Sequence, residues 1–423
     1  MKKVLIITHL LQASPRIPGL AKYLTEFGWE PILITAPYPE RYEFVGRVIE
    51  TLHREPLSFW KRLFGFKTDD NIREVLEDKI GIDSDNAFAS FLFTKCGEIF
   101  NYPDHDKCWR NFAINAAEEL LRSENIDVIL SSSSPVTSHI VAREVKLRHK
   151  IPWVADLRDL WTQNHNYHYG NLRKMIDRRL ELKILSTADV LVTTSKPWAL
   201  ELGSFHHKER FTYAITNGFD PNEISNDKVT LTSKFSITYT GSIYRGKQDL
   251  TGFFSALRDL IFEESIDNKE IEVRFYGHEE KWLAEEIKEY GLADIVKQYG
   301  KVSQRASLDK QKESQLLLLL DWNDQKTNGC YPLKIFEYLV AQRPIFVSGL
   351  MRNTVVRQLV ESTQSGFYAS RTEEIKPILR KLYMEYKENG RINYHGETAK
   401  INRYSYREMA KKFAGILESL NHN

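Results

Sequence analysis

Leu316-Leu317-Leu318-Leu319-Leu320, followed after a polar loop by Tyr331-Pro332-Leu333-Lys334-Ile335-Phe336-Glu337-Tyr338-Leu339, decides the fold of this chain. An unbroken apolar run of this length suits a parallel strand buried on both faces, not a strand with one wet side. The loop Asp321 to Gly329 then leads into a helix, with Pro332 where a first helical turn tolerates it. Lys334 and Glu337 stand three apart and so share one face near the helix N-terminus. That end offers free N–H groups and a partial positive charge, which suit a phosphate. Lys334 adds a full charge, and Glu337 can accept hydrogen bonds from a ribose-like diol. Strand, loop and helix together predict a nucleotide-diphosphate pocket at the mouth of an α/β sheet. An ordinary solvated helical pair is the plainer alternative for Lys334 and Glu337, and spacing alone leaves both open.

The same alternation extends outward in both directions. Ser236 to Thr240, Ile271 to Tyr276 and Ile345 to Val347 read as strands, with a loop from Gly241 to Lys247 and a helix from Leu250 to Phe262. Towards the N-terminus, strands are expected at Val4–Thr8, Pro31–Thr35, Val128–Leu130, Pro152–Ala155, Val190–Thr194 and Phe211–Ile215. Ala13 to Gly19 reads as a loop, and Leu20 to Phe27 as a helix closed by Gly28. The expected fold class is α/β, with two tandem Rossmann-like doubly wound domains and a cleft between them. The expected boundaries are 1–226 with a helical insertion at about 40–110, then 227–403. A hinge is expected between about 219 and 235, and 404–423 form an amphipathic helix packing back on the N-terminal domain. The first loop, Ser14-Pro15-Arg16-Ile17-Pro18-Gly19, lacks a G-x-G-x-x-G fingerprint, which disfavours an NAD-dependent dehydrogenase.

Composition narrows the class further. The chain of 423 residues is long enough for two cores, and 42% apolar with 27% charged residues fits a soluble globular protein. With 59 basic and 57 acidic residues the formal charge is only +2, which gives no reason to expect nucleic acid as a partner. Cys96, Cys108 and Cys330 are too few and scattered for a disulfide framework or a zinc site, so a reducing, cytoplasmic setting is expected. Val4 to Thr8 is too short for a signal-peptide core, and no segment reaches the roughly 18 apolar residues of a transmembrane helix. Leu57 to Phe66 mixes aromatics with Lys61 and Arg62 and suits either a membrane interface or packing on its own domain. The basic run Arg173, Lys174, Arg178, Arg179, Lys183 suits either anionic lipid or a solvated face, so peripheral contact with the inner face of the cell membrane is one reading. His165 and His168 have no third ligand in register, which disfavours a metal there.

Five stretches carry a resemblance. They are Ser133-Ser134-Pro135-Val136-Thr137-Ser138-His139; Ile151-Pro152-Trp153-Val154-Ala155-Asp156-Leu157-Arg158-Asp159-Leu160-Trp161; Ile215-Thr216-Asn217-Gly218-Phe219-Asp220; Tyr239-Thr240-Gly241-Ser242-Ile243-Tyr244; and Lys334 to Leu339 with Arg343-Pro344. In this order they resemble glycosyltransferase family 4, the bacterial-type sugar transferases of GT-B fold, over nearly the whole chain outside roughly 40–100. The resemblance implies a metal-independent hexosyltransferase that moves a sugar, with retention of configuration, from a nucleotide-diphosphate sugar. The acceptor would be a surface polysaccharide or lipid-linked glycan, and no cofactor is implied beyond that co-substrate.

By the same resemblance, Asp156, Arg158 and Asp159 are the catalytic candidates, and Ser14, Arg16, Ser134, His139 and Trp161 contact the acceptor. Gly241, Ser242, Arg245, Lys247, Tyr331, Pro332, Leu333, Lys334 and Glu337 hold the donor. With Arg245, Lys247 and Lys334 as fixed cations, a leaving diphosphate needs no metal. Three positions depart from the family pattern. Gly329 stands where many relatives have the first of two glutamates, Arg158 where many have histidine, and Ser242 where many have arginine. They keep alive a nucleotide-sugar epimerase on the same fold, or a non-catalytic nucleotide-sugar binder.

Overall fold

Leu316, Leu318 and Leu320 pack on one side of a sheet with Phe253, Phe254 and Phe275, while Leu317 and Leu319 pack on the other with Ile335, Phe336 and Leu339. The leucine run is therefore buried on both faces, as its composition requires. The structure is a computed structural model and describes all residues except 13–14, 39–43, 55–100, 168, 225–228 and 422–423. The chain divides into two units, Met1–Ile215 with Ala410–Asn423, and Thr216–Met409.

The first unit holds a seven-stranded sheet of β1 (Lys2–Ile7), β2 (Trp29–Thr35), β3 (Arg47–Glu50), β4 (Val128–Ser133), β5 (Trp153–Leu157), β6 (Val190–Thr193) and β7 (Thr212–Ala214). The strand order is β3-β2-β1-β4-β5-β6-β7, and every pairing is parallel. The second unit holds a six-stranded sheet of β8 (Phe235–Thr240), β9 (Ile271–Tyr276), β10 (Val296–Gln298), β11 (Leu316–Leu320), β12 (Ile345–Ser348) and β13 (Gly366–Ala369). Its order is β10-β9-β8-β11-β12-β13, again parallel throughout. Two doubly wound Rossmann-like units of the expected α/β class result. Strand order reverses beside β1 and β4 in one sheet and beside β8 and β11 in the other. Open α/β sheets place ligands at such points, outside the carboxyl ends of the strands.

Several local expectations change. The first helix starts at Arg16, not Leu20. Pro15 caps it in a helical conformation and Pro18 sits in its first turn, where a missing N–H costs nothing. Pro332 lies just ahead of the helix Lys334–Ala341, and its carbonyl accepts from the Ile335 N–H at 3.0 Å. Residues 47–50, inside the stretch read as helical, form β3, while the short strands β10 and β13 have no counterpart in the sequence reading. Helix Tyr406–Leu420 contributes its residues from Ala410 onward to the first unit, where Phe413 and Leu417 are fully buried.

Candidate functional site

The carboxyl ends of β8 and β9 are brought together by glycine. Gly241 has φ +105° and donates its N–H to the Tyr276 carbonyl at 2.7 Å. A Cβ on Gly277 would stand 2.3 Å from the Gly241 carbonyl oxygen, so only glycine permits this approach. The two loops open onto a cavity of about 540 Å³, lined by Thr240, Gly241, Ser242, Tyr276, His278, Lys301, Ser307, Lys334 and Glu337 among others. Lys334 and Glu337 thus share one cavity at the N-terminal turn of their helix.

Lys334 is poised for an anion. Its Nζ donates to the Tyr239 hydroxyl at 2.5 Å and lies 3.9 Å from the centre of that ring. The Tyr239 hydroxyl in turn donates a hydrogen bond to the Ser242 carbonyl at 2.8 Å. Among the described residues Lys334 forms no ion pair, and burial pulls its ammonium down to about 7 while Glu337 acts in the opposite sense. Burial raises the Glu337 carboxyl, against the pull of a hydrogen bond from Gln311 Nε2 at 3.2 Å and of the Lys334 charge. Gln311 is itself held by Thr240 Oγ1 at 3.0 Å, which fixes the Glu337 carboxylate at the pocket wall.

Other donor-side expectations separate from this pocket. The Arg245 guanidinium lies 5.7 Å from the Trp282 ring centre and lines a different cavity with Asp249, Glu285, Glu286 and Glu289. That acidic wall and the indole face both favour the guanidinium at this second cavity. Lys247 is exposed and does not line the pocket; its backbone binds the Tyr244 carbonyl and the Asn323 N–H, each at 3.0 Å. Tyr331 packs on Phe336 at 5.8 Å between ring centres, and Leu333 is exposed. Tyr331, Pro332 and Leu333 therefore shape the helix entry without lining the cavity. Gly329 is buried.

In the first unit the strand β5 runs one turn of the pleat further than expected, and this relocates Asp156. It lies inside the strand, opposite Ser132 of β4 and Val192 of β6, and is fully buried. Arg16 donates to both its oxygens, Nε to Oδ2 at 3.1 Å and Nη2 to Oδ1 at 2.8 Å, and Ser132 Oγ adds a bond at 2.8 Å. Asp156 and Arg16 thus form a buried ion pair. His139 is also fully buried: Ser131 Oγ meets its Nδ1 at 2.7 Å, and burial lowers its pKa to about 4. Trp161 is buried, whereas Ser134 is exposed at the end of β4; Ser14 lies outside the described residues.

Asp159 is the exposed carboxylate of the Asp156–Asp159 stretch. Beside it Arg158 donates through Nε to the Ser133 carbonyl at 2.8 Å and through Nη2 to the Gln12 carbonyl at 2.7 Å. Burial lowers the Arg158 pKa, while Asp159 and Asp156 support its charge. One cluster escapes local sequence reading altogether: His9, at the end of β1, His53 and Asp106 meet beside Gln12. The basic run also divides. Arg173 is buried between the rings of Tyr102 and Tyr169, 4.9 and 4.5 Å from their centres, and pairs with Asp177 at 2.9 Å, so it is no lipid-facing cation. Leu57–Phe66, His168 and Cys96 lie outside the described residues.

Residues 83–223 match the model of Glycosyltransferase Family 4. Among curated proteins none matches. The structure superposes on Alr3699/HepE of Anabaena, solved in complex with UDP, with a TM-score of 0.59 at 12% identity, covering 99% of this chain and 100% of that one. It superposes on the lipopolysaccharide outer core galactosyltransferase WaaB with a TM-score of 0.58 at 12% identity, over 99% of each chain. A candidate UDP-N-acetylglucosamine 2-epimerase from Listeria monocytogenes gives 0.50 at 14% identity, over 99% of this chain and 96% of that one. At these identities the likenesses establish the fold, which is the two-unit GT-B architecture. The resemblance to glycosyltransferase family 4 is borne out by the match over residues 83–223. No described helix is long and apolar enough to cross a membrane.

Proposed function

We propose that this chain transfers a sugar from a nucleotide-diphosphate sugar, UDP-linked in the first instance, to a glycan or lipid-linked glycan acceptor. The observation that carries the proposal is Lys334, a dry cation without an ion pair among the described residues, facing a cavity at the carboxyl ends of β8 and β9. A diphosphate leaving a sugar gains negative charge as the glycosidic bond breaks. Lys334 and the N–H groups of its helix terminus are fixed where that charge develops, so they stabilise it without reorganising. Glu337, held by Gln311, accepts hydrogen bonds from the ribose diol. In the first unit, Asp159 receives the proton or hydrogen bond of the acceptor hydroxyl, and Arg158 holds the loop that presents it. UDP is favoured because Alr3699/HepE was solved with UDP bound. Retention of configuration, independence of metal, and a place in surface polysaccharide biosynthesis at the inner membrane face rest on the family resemblance.

The test begins with the purified chain and a panel of UDP-, GDP-, ADP-, CMP- and dTDP-sugars. A nucleotide sugar at 100 times its Kd stabilises the protein by about 2.7 kcal/mol, a clear thermal shift. The stabilising donor is then incubated with and without membrane glycolipid extract. Sugar incorporated only when extract is present supports transfer. Conversion of the donor alone to an isomer assigns the chain to the epimerases, and binding with neither outcome assigns it to non-catalytic nucleotide-sugar binders.

A further inference from the structure

We infer that His9, His53 and Asp106 form a binding site for a transition-metal dication, zinc foremost, in the first unit. One ligand atom from each of the three lies within 4.8 Å of the other two. Asp106 Oδ1 stands 3.1 Å from His9 Nδ1 and 2.7 Å from His53 Nε2. Ligands bound to zinc at 2.0–2.1 Å in a tetrahedron stand ~3.3 Å apart, so small outward movements of these side chains admit the ion. Two imidazoles and one carboxylate suit zinc and its neighbours in the first transition row, whereas calcium and magnesium call for an all-oxygen set.

The surroundings favour a cation. Asp106 is 2% exposed and, among the described residues, pairs with no lysine or arginine. Gln12 Nε2 donates to its Oδ2 at 2.7 Å, which orients the carboxylate and leaves Oδ1 turned to the two imidazoles. His9 is 6% exposed and offers two candidate ligand atoms: Nδ1 faces Asp106, and Nε2 is buried and has no hydrogen-bond partner among the described residues. The His53 side chain is 21% exposed and so lies nearer the surface than His9 and Asp106.

The site also has a structural consequence. His53 and Asp106 are 53 residues apart in the chain, and His9 and Asp106 are 97 apart, so one ion fastens the two ends of a long excursion to the end of β1. Gln12 joins this clamp to the chemistry, because its carbonyl accepts from Arg158 Nη2 at 2.7 Å. A bound cation therefore fixes the loop that carries Arg158, a positioning role independent of which sugar nucleotide is used.

The experiment uses the full chain without a polyhistidine tag, stripped with a chelator and titrated with Co²⁺, with visible absorption and metal analysis as readouts. One equivalent of Co²⁺ bound with histidine-type absorption, and displaced by Zn²⁺, is the expected result. His53→Ala and Asp106→Asn lose that spectrum, and Gln12→Ala weakens Zn²⁺ binding about 10–100-fold as an outer-shell partner does. Circular dichroism of the metal-free variants controls for folding, and truncation at the rim position His53 leaves the core untouched. Failure of the native protein to bind a stoichiometric ion overturns the proposal, as does undiminished binding by folded His53→Ala.

Discussion

Arg16, at the start of the first helix, and Asp156, in β5, pair at 2.8 Å with neither side chain exposed to solvent. Each charge is tolerable there only because of the other, for removing one partner of a buried pair leaves an uncompensated charge. Asp156→Ala should therefore lower stability by about 3–5 kcal/mol, read as a shift in the urea unfolding midpoint. The double replacement Arg16→Met with Asp156→Leu should recover most of that loss. A stable Asp156→Ala protein would contradict the pairing.

Asp159 should behave in the opposite way. It is exposed, so Asp159→Asn leaves the unfolding midpoint within about 0.5 kcal/mol of the parent. If it receives the acceptor proton, turnover falls about 10²–10⁴-fold while donor binding is unchanged. Steady-state transfer and donor titration on the same preparation separate the two effects.

Gly241→Ala tests the floor of the donor pocket. At φ +105° a side chain is strained, costing about 1–3 kcal/mol, and the new Cβ would stand 3.1 Å from Lys334 Nζ. The lysine tip must give by a few tenths of an ångström, which perturbs its contact with Tyr239, so UDP affinity should drop along with stability. Gly277→Ala should be worse, because its Cβ would meet backbone at 2.3 Å.

Lys334 also sets a pH dependence. Its ammonium sits near 7 in the free protein because of burial, and a bound phosphate raises that value. Binding is then strongest below about pH 7, takes up a proton above it, and weakens as pH rises towards the bound-state value. UDP serves as the probe at pH 8, where a terminal phosphate that titrates at about pH 6 is almost fully ionised and contributes little proton exchange of its own. Calorimetry at pH 8 in buffers of different ionisation heat should detect the uptake, and Lys334→Met should abolish it.

Fold and site were legible to different depths. The leucine run, the alternating strands and the Lys334–Glu337 spacing carry local signals of burial and periodicity, and the two sheets follow from them. The strands β10 and β13 carry almost none: Val296-Lys297-Gln298 has one apolar residue, and Gly366 opens the other. Pro15 and Pro18 imitate a loop, although both are compatible with a helix start. The burial of Asp156 is not legible locally, because one further residue of strand decides whether a carboxylate meets solvent or a guanidinium. Arg245 is drawn to Trp282 and its acidic neighbours by contacts between segments far apart in sequence. His9, His53 and Asp106 are invisible for the same reason, since no local spacing joins them.

The most direct measurement is calorimetric titration of UDP into the native protein and into Lys334→Met. A hydrogen bond to a charged group contributes about 1.5–3 kcal/mol, so the variant should bind roughly 10–150-fold more weakly with its fold intact. Equal affinity for UDP in both proteins would remove Lys334 from the donor site and contradict the proposed function's central element.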